Sequence, residues 1–419
     1  MKNFKLFLLI FTVLLWAPLA SGHEVSGYIE AEARLFFDDP LFPDQQDHNA
    51  SLAVLPEYYH EWENGSSVTF TPFARIDSAD DERTHFDIRE LNYLWLADSY
   101  ELRIGIGKVF WGVTEFYHLI DIINQTDAVE SLDGEDKLGQ PMAHLSTPRD
   151  YGIFNLFVLP WFRERTFSGA DGRLRNAFVV DTDNAEYESA DEERHVDWAI
   201  RYSHSIGDWD FGIYHFQGTG REPLFIPDFT DTDNPKLTPF YEQIKLTGLD
   251  IQMVAGEWLF KLEAIYNSGM NDDYAAATGG FEYTFTRVAE TDMDLGVIGE
   301  YAYDDRRDNA ATVYQNDLIL GLRLAVNDMA STTLLAGFIH DMDNTSEIVS
   351  IEASRRIGDN IKISLESGLF INPSPDDLLY DLRDDGFVRL EAAVLFLITS
   401  LGVSLMLNLS SAMRKVGYF

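Results

Sequence analysis

The feature that most constrains this chain is an alternation of apolar and polar residues with a period of two, which begins at Val25 and recurs along the sequence. Successive side chains of an extended strand point to opposite faces, so each such segment has one apolar and one polar face. In the first segment the two faces are Gly27, Ile29, Ala31, Ala33, Leu35 and Phe37 against Tyr28, Glu30, Glu32, Arg34 and Phe36. Segments 196–202, 258–266 and 318–326 repeat the pattern. It predicts an all-β fold whose strands separate an apolar environment from a polar one.

The connections between these segments alternate in length. Tight polar turns are predicted near Asn64-Gly65, Asp98-Ser99, Gly207-Asp208, Gly256-Glu257, Asn327-Asp328 and Gly358-Asp359. Longer polar loops are predicted at 38–50, 112–150, 218–238, 268–278, 304–316 and 372–385. This arrangement is typical of outer-membrane barrels, which close because lipid cannot satisfy an unpaired strand edge. We therefore expect a closed antiparallel transmembrane β-barrel of about 16 to 18 strands, with short periplasmic turns and long external loops.

The amino terminus has the pattern of a secretory signal peptide. Lys2 and Lys5 precede an uncharged run from Leu6 to Trp16. Ala20-Ser21-Gly22 then supplies the small residues of a cleavage site. The alternative is a membrane anchor, although the run is shorter than the ~20 residues that a spanning helix needs. We expect residues 1–22 to be removed and the mature protein to reside in the cell outer membrane.

The carboxyl end carries a second apolar stretch. Segment 386–396 alternates like a terminal barrel strand, with Arg389 and Glu391 on its polar face. The barrel is therefore expected to span 23–396, with no room for a second domain, and 397–419 to be an atypical apolar extension. Because Ala392 to Met413 is uncharged, a helical hairpin or anchor is the alternative for this end.

Composition excludes several classes of function. The chain has 419 residues, 31 Lys and Arg against 70 Asp and Glu, a formal net charge of −39, and no cysteine. So acidic a chain repels phosphate backbones, which excludes nucleic acid as a charge-driven partner. The absence of cysteine excludes disulfides, thiol nucleophiles and thiolate metal sites. The expected partners are outer-membrane lipid and lipopolysaccharide, the barrel-assembly machinery and small hydrophilic solutes, and further copies of the chain are allowed.

Two other classes fit the alternation less well. An outer-membrane barrel enzyme of the lipase or protease type needs a nucleophile beside a histidine base, but neighbouring strand residues in Ser203-His204-Ser205 point to opposite faces. We therefore expect no enzyme. A soluble secreted β protein remains the other alternative. Asp-rich segments starting at Asp181, Asp231 and Asp341 lack the glycine of a calcium loop, so no cofactor or metal is predicted.

One region resembles a known family. The residues that carry the resemblance are Arg89-Glu90-Leu91-Asn92-Tyr93, Glu101-Leu102-Arg103-Ile104-Gly105, Gly107-Lys108-Val109-Phe110-Trp111-Gly112 and Asp121-Ile122-Ile123-Asn124-Gln125-Thr126-Asp127. They resemble a poorly characterised porin-like family of Gram-negative outer-membrane barrels, over roughly 85–175. The chain departs from the family at Gly107-Lys108 and Asn124-Gln125. The resemblance implies a porin-like barrel and leaves the solute open.

We expect a channel for diffusion of small hydrophilic solutes, with weak charge selectivity. The candidate pore-lining or constriction residues are Arg34, Arg103, Arg163, Arg165, Arg173, Arg175, Lys261, Glu263, Arg323, Arg389 and Glu391, together with Glu30 and Glu32. The alternation stops after Trp111, so the following loop either enters the lumen and narrows it or lies on the rim. The four arginines between 163 and 175 either form one side of a constriction or pair with acidic groups at the rim. Acidic loops favour a modest preference for cations.

Overall fold

The computed structural model describes residues 23–269, 273–399 and 402–404. The predicted signal peptide, residues 1–22, lies outside the described residues, as do 400–401 and 405–419 of the predicted extension. The strands are β1 His23–Phe36, β2 His48–Glu61, β3 Ser67–Asp77, β4 Phe86–Ala97, β5 Tyr100–Gly107, β6 Gln140–Arg149, β7 Gly152–Leu159, β8 Val179–Val180, β9 Glu186–Tyr187, β10 Asp197–Ile206, β11 Trp209–Thr219, β12 Leu224–Asp228, β13 Lys236–Tyr241, β14 Gln243–Ala255, β15 Trp258–Ser268, β16 Tyr274–Phe285, β17 Asp294–Asp304, β18 Asn316–Ala325, β19 Thr333–Asp341, β20 Glu347–Ile357, β21 Ile361–Ile371, β22 Phe387–Thr399 and β23 Gly402–Ser404.

Eighteen of these strands form a closed antiparallel barrel, so the predicted fold class is confirmed at the upper end of the expected strand number. Sequential strands pair, and β1 closes the ring by pairing with β2 on one side and β22 on the other. Ile29 of β1, for example, lies between Val54 and Val394. The segment expected to close the barrel, 386–396, coincides with β22 from Phe387 onward, the strand continues to Thr399, and β23 folds back against its end.

The period-two pattern sets which side chains face in and out. On β18, Leu318, Leu320 and Leu322 are exposed on the outer surface, whereas Ile319 between them is fully buried in the interior. On β1 the exterior residue Ile29 is exposed, and the neighbouring Glu32 is buried inside. The outer surface is therefore apolar and the interior carries the charges, as the alternation predicts.

The two ends of the barrel differ. All six predicted tight turns join paired strands at one end, which we call the short-turn end. At the other, the long-loop end, the longest connections are 108–139, 160–196 and 220–242. The predicted loop 112–150 is wrong in its last third, because 140–149 is strand β6, paired with β5 and β7. Pro141, His144 and Pro148 blur the apolar contrast of that strand and hid it in the sequence.

The long loops carry further local structure. β12 and β13 are antiparallel, and β8 and β9 add to β13 in parallel, which gives a small sheet at the long-loop end. Short 3₁₀ helices occur at Thr182–Asn184, Glu192–Arg194, Val288–Glu290, Arg307–Asn309 and Leu378–Leu382. In the part of the chain that the structure describes, no helix is long and apolar enough to cross a membrane.

Candidate functional site

The loop between β5 and β6, residues 108–139, lies inside the barrel. Of the two positions that the sequence leaves open for it, the lumen and the rim, the lumen is the one observed. One anchor is Glu263 on β15. Its Oε1 accepts hydrogen bonds from the backbone N–H of Val113 at 2.6 Å and of Thr114 at 3.0 Å, and from the Thr114 hydroxyl at 2.8 Å. Its Oε2 accepts from the N–H of Ile120 at 3.2 Å. Glu263 is fully buried, so this predicted site residue holds the loop and does not face water.

A second anchor lies on the neighbouring wall. Glu300 of β17 accepts hydrogen bonds from the backbone N–H of Glu115 at 2.8 Å and of Phe116 at 3.3 Å. The Glu115 carboxylate in turn pairs with Lys261 at 3.3 Å and with Arg323. Two predicted pore-lining cations thus bind the loop, and the Arg323 side chain still keeps 38% of its surface in water.

Apolar contacts complete the attachment on this side. Trp111 packs against Phe157 and Tyr214, with ring centroids 5.6 and 4.9 Å apart. Ile120 and Ile123 are fully buried in the same cluster. Because the walls here carry apolar interior residues, this part of the lumen is filled by the loop and holds a packed core instead of a water path.

Phe116 lies where the wall has no side chains. Its ring covers Gly321 of β18 and Gly337 of β19 so closely that a Cβ on Gly337 would lie 2.4 Å from the ring. Real Cβ contacts do not come this close, so any larger residue at 337 has to displace Phe116. These two glycines therefore provide the space into which the loop fits.

On the opposite wall an ionic network holds the loop. Arg75 of β3 donates through Nε to both carboxylate oxygens of Glu130, at 3.0 and 2.9 Å. Its Nη1 also lies 3.2 Å from Glu32 of β1. Arg83 pairs with the same Glu32 at 2.8 Å and donates to the carbonyl oxygen of Val129 at 2.9 Å. Such bidentate, buried, charge-assisted contacts fix orientation, so residues 129–130 of the loop have a defined place.

Asp127 makes a parallel contact with β4. Its carboxylate lies 2.5 Å from Arg89, accepts a hydrogen bond from Thr166 at 2.6 Å, and is 3.6 Å from Nε2 of His85. Burial opposes ionisation, but the nearby His85 ring and the charge of Arg89 hold the pKa of Asp127 well below its usual range. A β-bulge opposite Thr71 and Pro72 leaves Arg89 out of the ladder and directs it at the loop.

The four predicted constriction arginines divide into two pairs. Arg163 lies inside the barrel, 2.8 Å from Asp87 of β4, and donates to the carbonyl oxygen of Gly139 at 3.0 Å. Arg165 donates to the Gln125 side chain at 3.4 Å. Residues 163–166 therefore pack directly on the lumenal loop, and this pair belongs to the interior.

The other pair lies at the mouth on the long-loop end. Arg173 is buried, 2.5 Å from Asp385, and Arg175 donates to the carbonyl oxygens of Asn176 and Ala177. The Asp385 carboxylate also accepts the N–H of Leu174 at 2.7 Å. This pair therefore matches the rim alternative and links loop 160–196 to the loop before β22.

The remaining predicted residues line the inner wall. Arg389 of β22 pairs with Glu366 and, at 3.2 Å, with Glu391, and donates to the Glu130 carbonyl oxygen at 3.2 Å. Arg34 is buried 3.9 Å from Glu32. Glu30 is 3.3 Å from Arg75, and Arg103 is half-buried opposite His144.

The tip of the lumenal loop is acidic and in contact with water. Leu132, Asp133 and Glu135 are exposed, and Glu135 is 2.6 Å from His118. Removal from water and the neighbouring carboxylates of Asp133 and Glu130 raise the pKa of Asp136 to about 7. Glu352 of β20 and Glu366 of β21 lie within electrostatic reach of Asp133. We call Asp133, Glu135, Asp136, Glu352 and Glu366 the acidic passage.

Two groups of side chains in the described residues have the donor types of a cation site. They are His85 with Asp127 and Glu130, and Glu30 with Glu32 and Glu391. Guanidinium groups already lie among both sets, and they would repel a divalent ion while satisfying the carboxylates. The Asp341 segment uses its carboxylate to accept the N–H groups of Asp343 and Asn344 within its own turn.

The residues suspected of catalysis are separated by the wall. On β10, Arg201 pairs with Asp250 in the interior, so Ser203 also points inward. His204 points outward, where its ring centroid is 6.4 Å from that of Tyr202 and its ring is perpendicular to that of Phe211 at 6.1 Å. The strand geometry therefore keeps this serine away from this histidine.

The sequence interpretation missed the carboxylates that position the loop: Asp127, Glu130 and Glu300. Asp127 and Glu130 lie three residues apart in a region where alternation has already stopped, so no period marks them. A usable signal was the cluster of Arg75, Arg83 and Arg89 in an acidic chain, because buried guanidinium groups require acidic partners.

No family model matches the chain, and no curated protein matches it, so the resemblance to a particular porin-like family stays a prediction. Among solved structures, a mutant of the Rh. blastica porin is 13% identical, with a TM-score of 0.43 over 89% of this chain and 100% of that chain. An outer membrane protein of Vibrio cholerae, OmpT folded in vitro and in trimer form, is 8% identical, with a TM-score of 0.46 over 90% of this chain and 100% of that chain. A likeness at these values carries no information about activity.

Proposed function

We propose that this protein is an outer-membrane channel through which small hydrophilic solutes diffuse. The observation that carries the proposal is the lumenal loop 108–139, which is fixed to opposite walls of a closed barrel and leaves its acidic tip in water. A loop held across a barrel narrows the path to the space that its exposed side chains border. The apolar exterior suits lipid, and exposed aromatic residues lie beside the short turns: Trp95, Tyr151, Trp209, Trp258 and Phe285.

The proposal includes charge selectivity. Arg75 and Arg89 are buried in ion pairs with the loop, and Arg83 is buried in ion pairs with Glu32 and Asp77, so the charges of all three are neutralised. Glu352 lies within electrostatic reach of the exposed Asp133 and Glu135, and Glu366, which is paired with Arg389, lies within reach of Asp133. Fixed carboxylates raise the local concentration of cations, so the acidic passage gives the channel a modest preference for cations.

Export and assembly belong to the same proposal. Residues 1–22 act as a cleavable signal peptide, and the barrel of 23–396 inserts with its short-turn end in the periplasm. The predicted extension 397–419 begins within the barrel wall, because residues 397–399 are the end of β22 and pair with β1 and β23. Lipopolysaccharide, the barrel-assembly machinery and further copies of the chain are the partners that this placement implies.

The test is the reversal potential of the purified protein in a planar bilayer under a tenfold KCl gradient. We expect a sign that indicates K⁺ preference, which the double variant Asp133→Asn, Glu135→Gln reduces. The double variant Asp231→Asn, Asp233→Asn is the matched control, since it also removes two negative charges, from an exposed turn between β12 and β13. Absence of conductance in the folded protein refutes the channel, whereas chloride preference refutes the cation filter alone.

A further inference from the structure

Two histidines face each other on the exterior surface at the short-turn end, away from the lumen. His23 is the first residue of β1, and the register places it directly opposite His60 of β2. Their imidazole rings stack with centroids 4.2 Å apart and planes inclined by 21°. Opposite residues of antiparallel strands have Cβ atoms about 4.5–5.5 Å apart, so both imidazoles reach one point above the sheet.

A tyrosine and an open depression adjoin this pair. The Tyr58 hydroxyl contacts Nδ1 of His23, and Tyr58 shares the exterior face because its register partner is Val25. A depression of about 660 Å³ opens beside the pair, lined by His60, Glu61, Trp62, Glu63, Asn64 and Tyr93.

Removal of residues 1–22 would change the chemistry of this point, because the backbone nitrogen of His23 becomes a free α-amine. We propose that the mature chain binds one Cu²⁺ ion here, through the α-amine and Nδ1 of His23 and a ring nitrogen of His60, with the Tyr58 hydroxyl beside the ion. The inference rests on the proposed signal cleavage after Gly22 and is independent of channel activity.

The chemical type of the three nitrogen donors favours Cu²⁺ over other divalent metal ions. An α-amine and Nδ1 of the same residue close a six-membered chelate ring, and an imidazole on the opposite strand supplies a third nitrogen. Sites rich in nitrogen bind Cu²⁺ more tightly than the other divalent first-row ions, and tetragonal nitrogen and oxygen donors suit Cu²⁺ in geometry. Two nitrogens about 2.0–2.1 Å from one ion lie roughly 3 Å apart at a right angle. The stacked rings therefore need to tilt toward each other, and the Tyr58 hydroxyl has to leave the Nδ1 lone pair that the ion takes, with no change of register.

The chain offers a matched control histidine. His204 lies on the exterior of β10, also near a short turn, but its register partner on β11 is Phe211. It thus has the same type of environment and lacks a second imidazole opposite. His204→Ala removes one exterior histidine without touching the proposed donors.

The experiment uses protein exported with its own leader, purified in detergent and stripped with a chelator. Intact mass gives the first residue, and titration with CuSO₄, followed by electron paramagnetic resonance, gives stoichiometry and donor type. We expect a chain that begins at His23, one Cu²⁺ per chain and hyperfine coupling to nitrogen. His60→Ala should weaken binding by more than about tenfold, since loss of a ligand costs at least as much as loss of a hydrogen bond supporting one.

A second modification tests the amine. Acetylation near pH 7 favours the α-amine, whose pKa is about 7.7–8.0, over lysine, and should abolish the nitrogen-coupled spectrum. Unchanged copper binding in folded His60→Ala or in the acetylated protein overturns the proposal. A mature chain that begins at a residue other than His23 also overturns it. So does a loss of copper affinity in His204→Ala as large as that in His60→Ala. Heat-shifted gel mobility shows that each variant is folded. Bilayer conductance is measured in parallel, so copper binding without conductance would refute the channel alone.

Discussion

Glu263 tests whether hydrogen bonds from the barrel wall hold the lumenal loop in place. In Glu263→Gln the amide oxygen can replace Oε1, which accepts from Val113 and Thr114. The amide nitrogen then faces the N–H of Ile120, where Oε2 accepted a hydrogen bond at 3.2 Å. A donor thus opposes a donor, and the negative charge that strengthened the other bonds is lost.

The cost follows from the bond that disappears. A hydrogen bond to a charged acceptor contributes about 1.5–3 kcal/mol. At about 1.4 kcal/mol per factor of ten, the fraction of channels with residues 113–120 detached rises roughly 10- to 150-fold. Glu263→Ala should have a larger effect, because it removes every acceptor and leaves buried N–H groups that only entering water can satisfy.

The assay is single-channel recording in planar bilayers. We expect Glu263→Gln to increase open-channel current noise and to add brief excursions to higher conductance. Glu352→Gln is the matched control, because among the described residues no hydrogen bond from the loop ends on it. It should change selectivity without added noise. Noise and conductance of Glu263→Gln equal to those of the wild type would show that the loop is held by other contacts.

Three further predictions concern separate parts of the structure. Trp111→Ala should lower the free energy of unfolding by about 3–5 kcal/mol, because it empties a buried site between Phe157 and Tyr214, and urea unfolding in detergent measures this. Since the pKa of Asp136 is about 7, its carboxyl is mostly charged at pH 8 and mostly neutral at pH 6, so cation preference should fall across this range and fall less in Asp136→Asn. Arg173→Ala should expose loop 160–196 to protease, because breaking a buried ion pair costs about 3–5 kcal/mol, and equal digestion of variant and wild type would contradict this.

The barrel itself could be predicted because the alternation that defines each strand depends only on residues that are neighbours in the sequence. Each strand carries its own alternation, so faces on β1, β10, β15 and β18 follow directly from the residue order. Strand β6 was lost because its outer face, Pro141, Ala143, Leu145, Thr147 and Arg149, is only partly apolar. Register between strands was not predictable, and neither was the bulge that directs Arg89 inward.

The candidate site was predictable as a set of charges and not as a set of contacts. Lys261, Glu263, Arg323 and Arg389 were assigned to the interior from alternation, but their partners lie far away in sequence. Thr114 and Glu263 are 149 residues apart, and Arg389 and Glu130 are 259 apart. No local pattern encodes such pairings, because they depend on where an irregular loop goes after the ring has formed.

The distances along the chain also bear on the order of assembly. The loop leaves the wall at β5, yet the carboxylates that hold its backbone belong to β15 and β17, and the seam between β1 and β22 joins the two ends of the sheet. Residues 127–130 can meet Arg75, Arg83 and Arg89 as soon as the first strands have paired. Residues 113–120 can dock only after β15 and β17 have been added, because Glu263 and Glu300 accept their backbone hydrogen bonds.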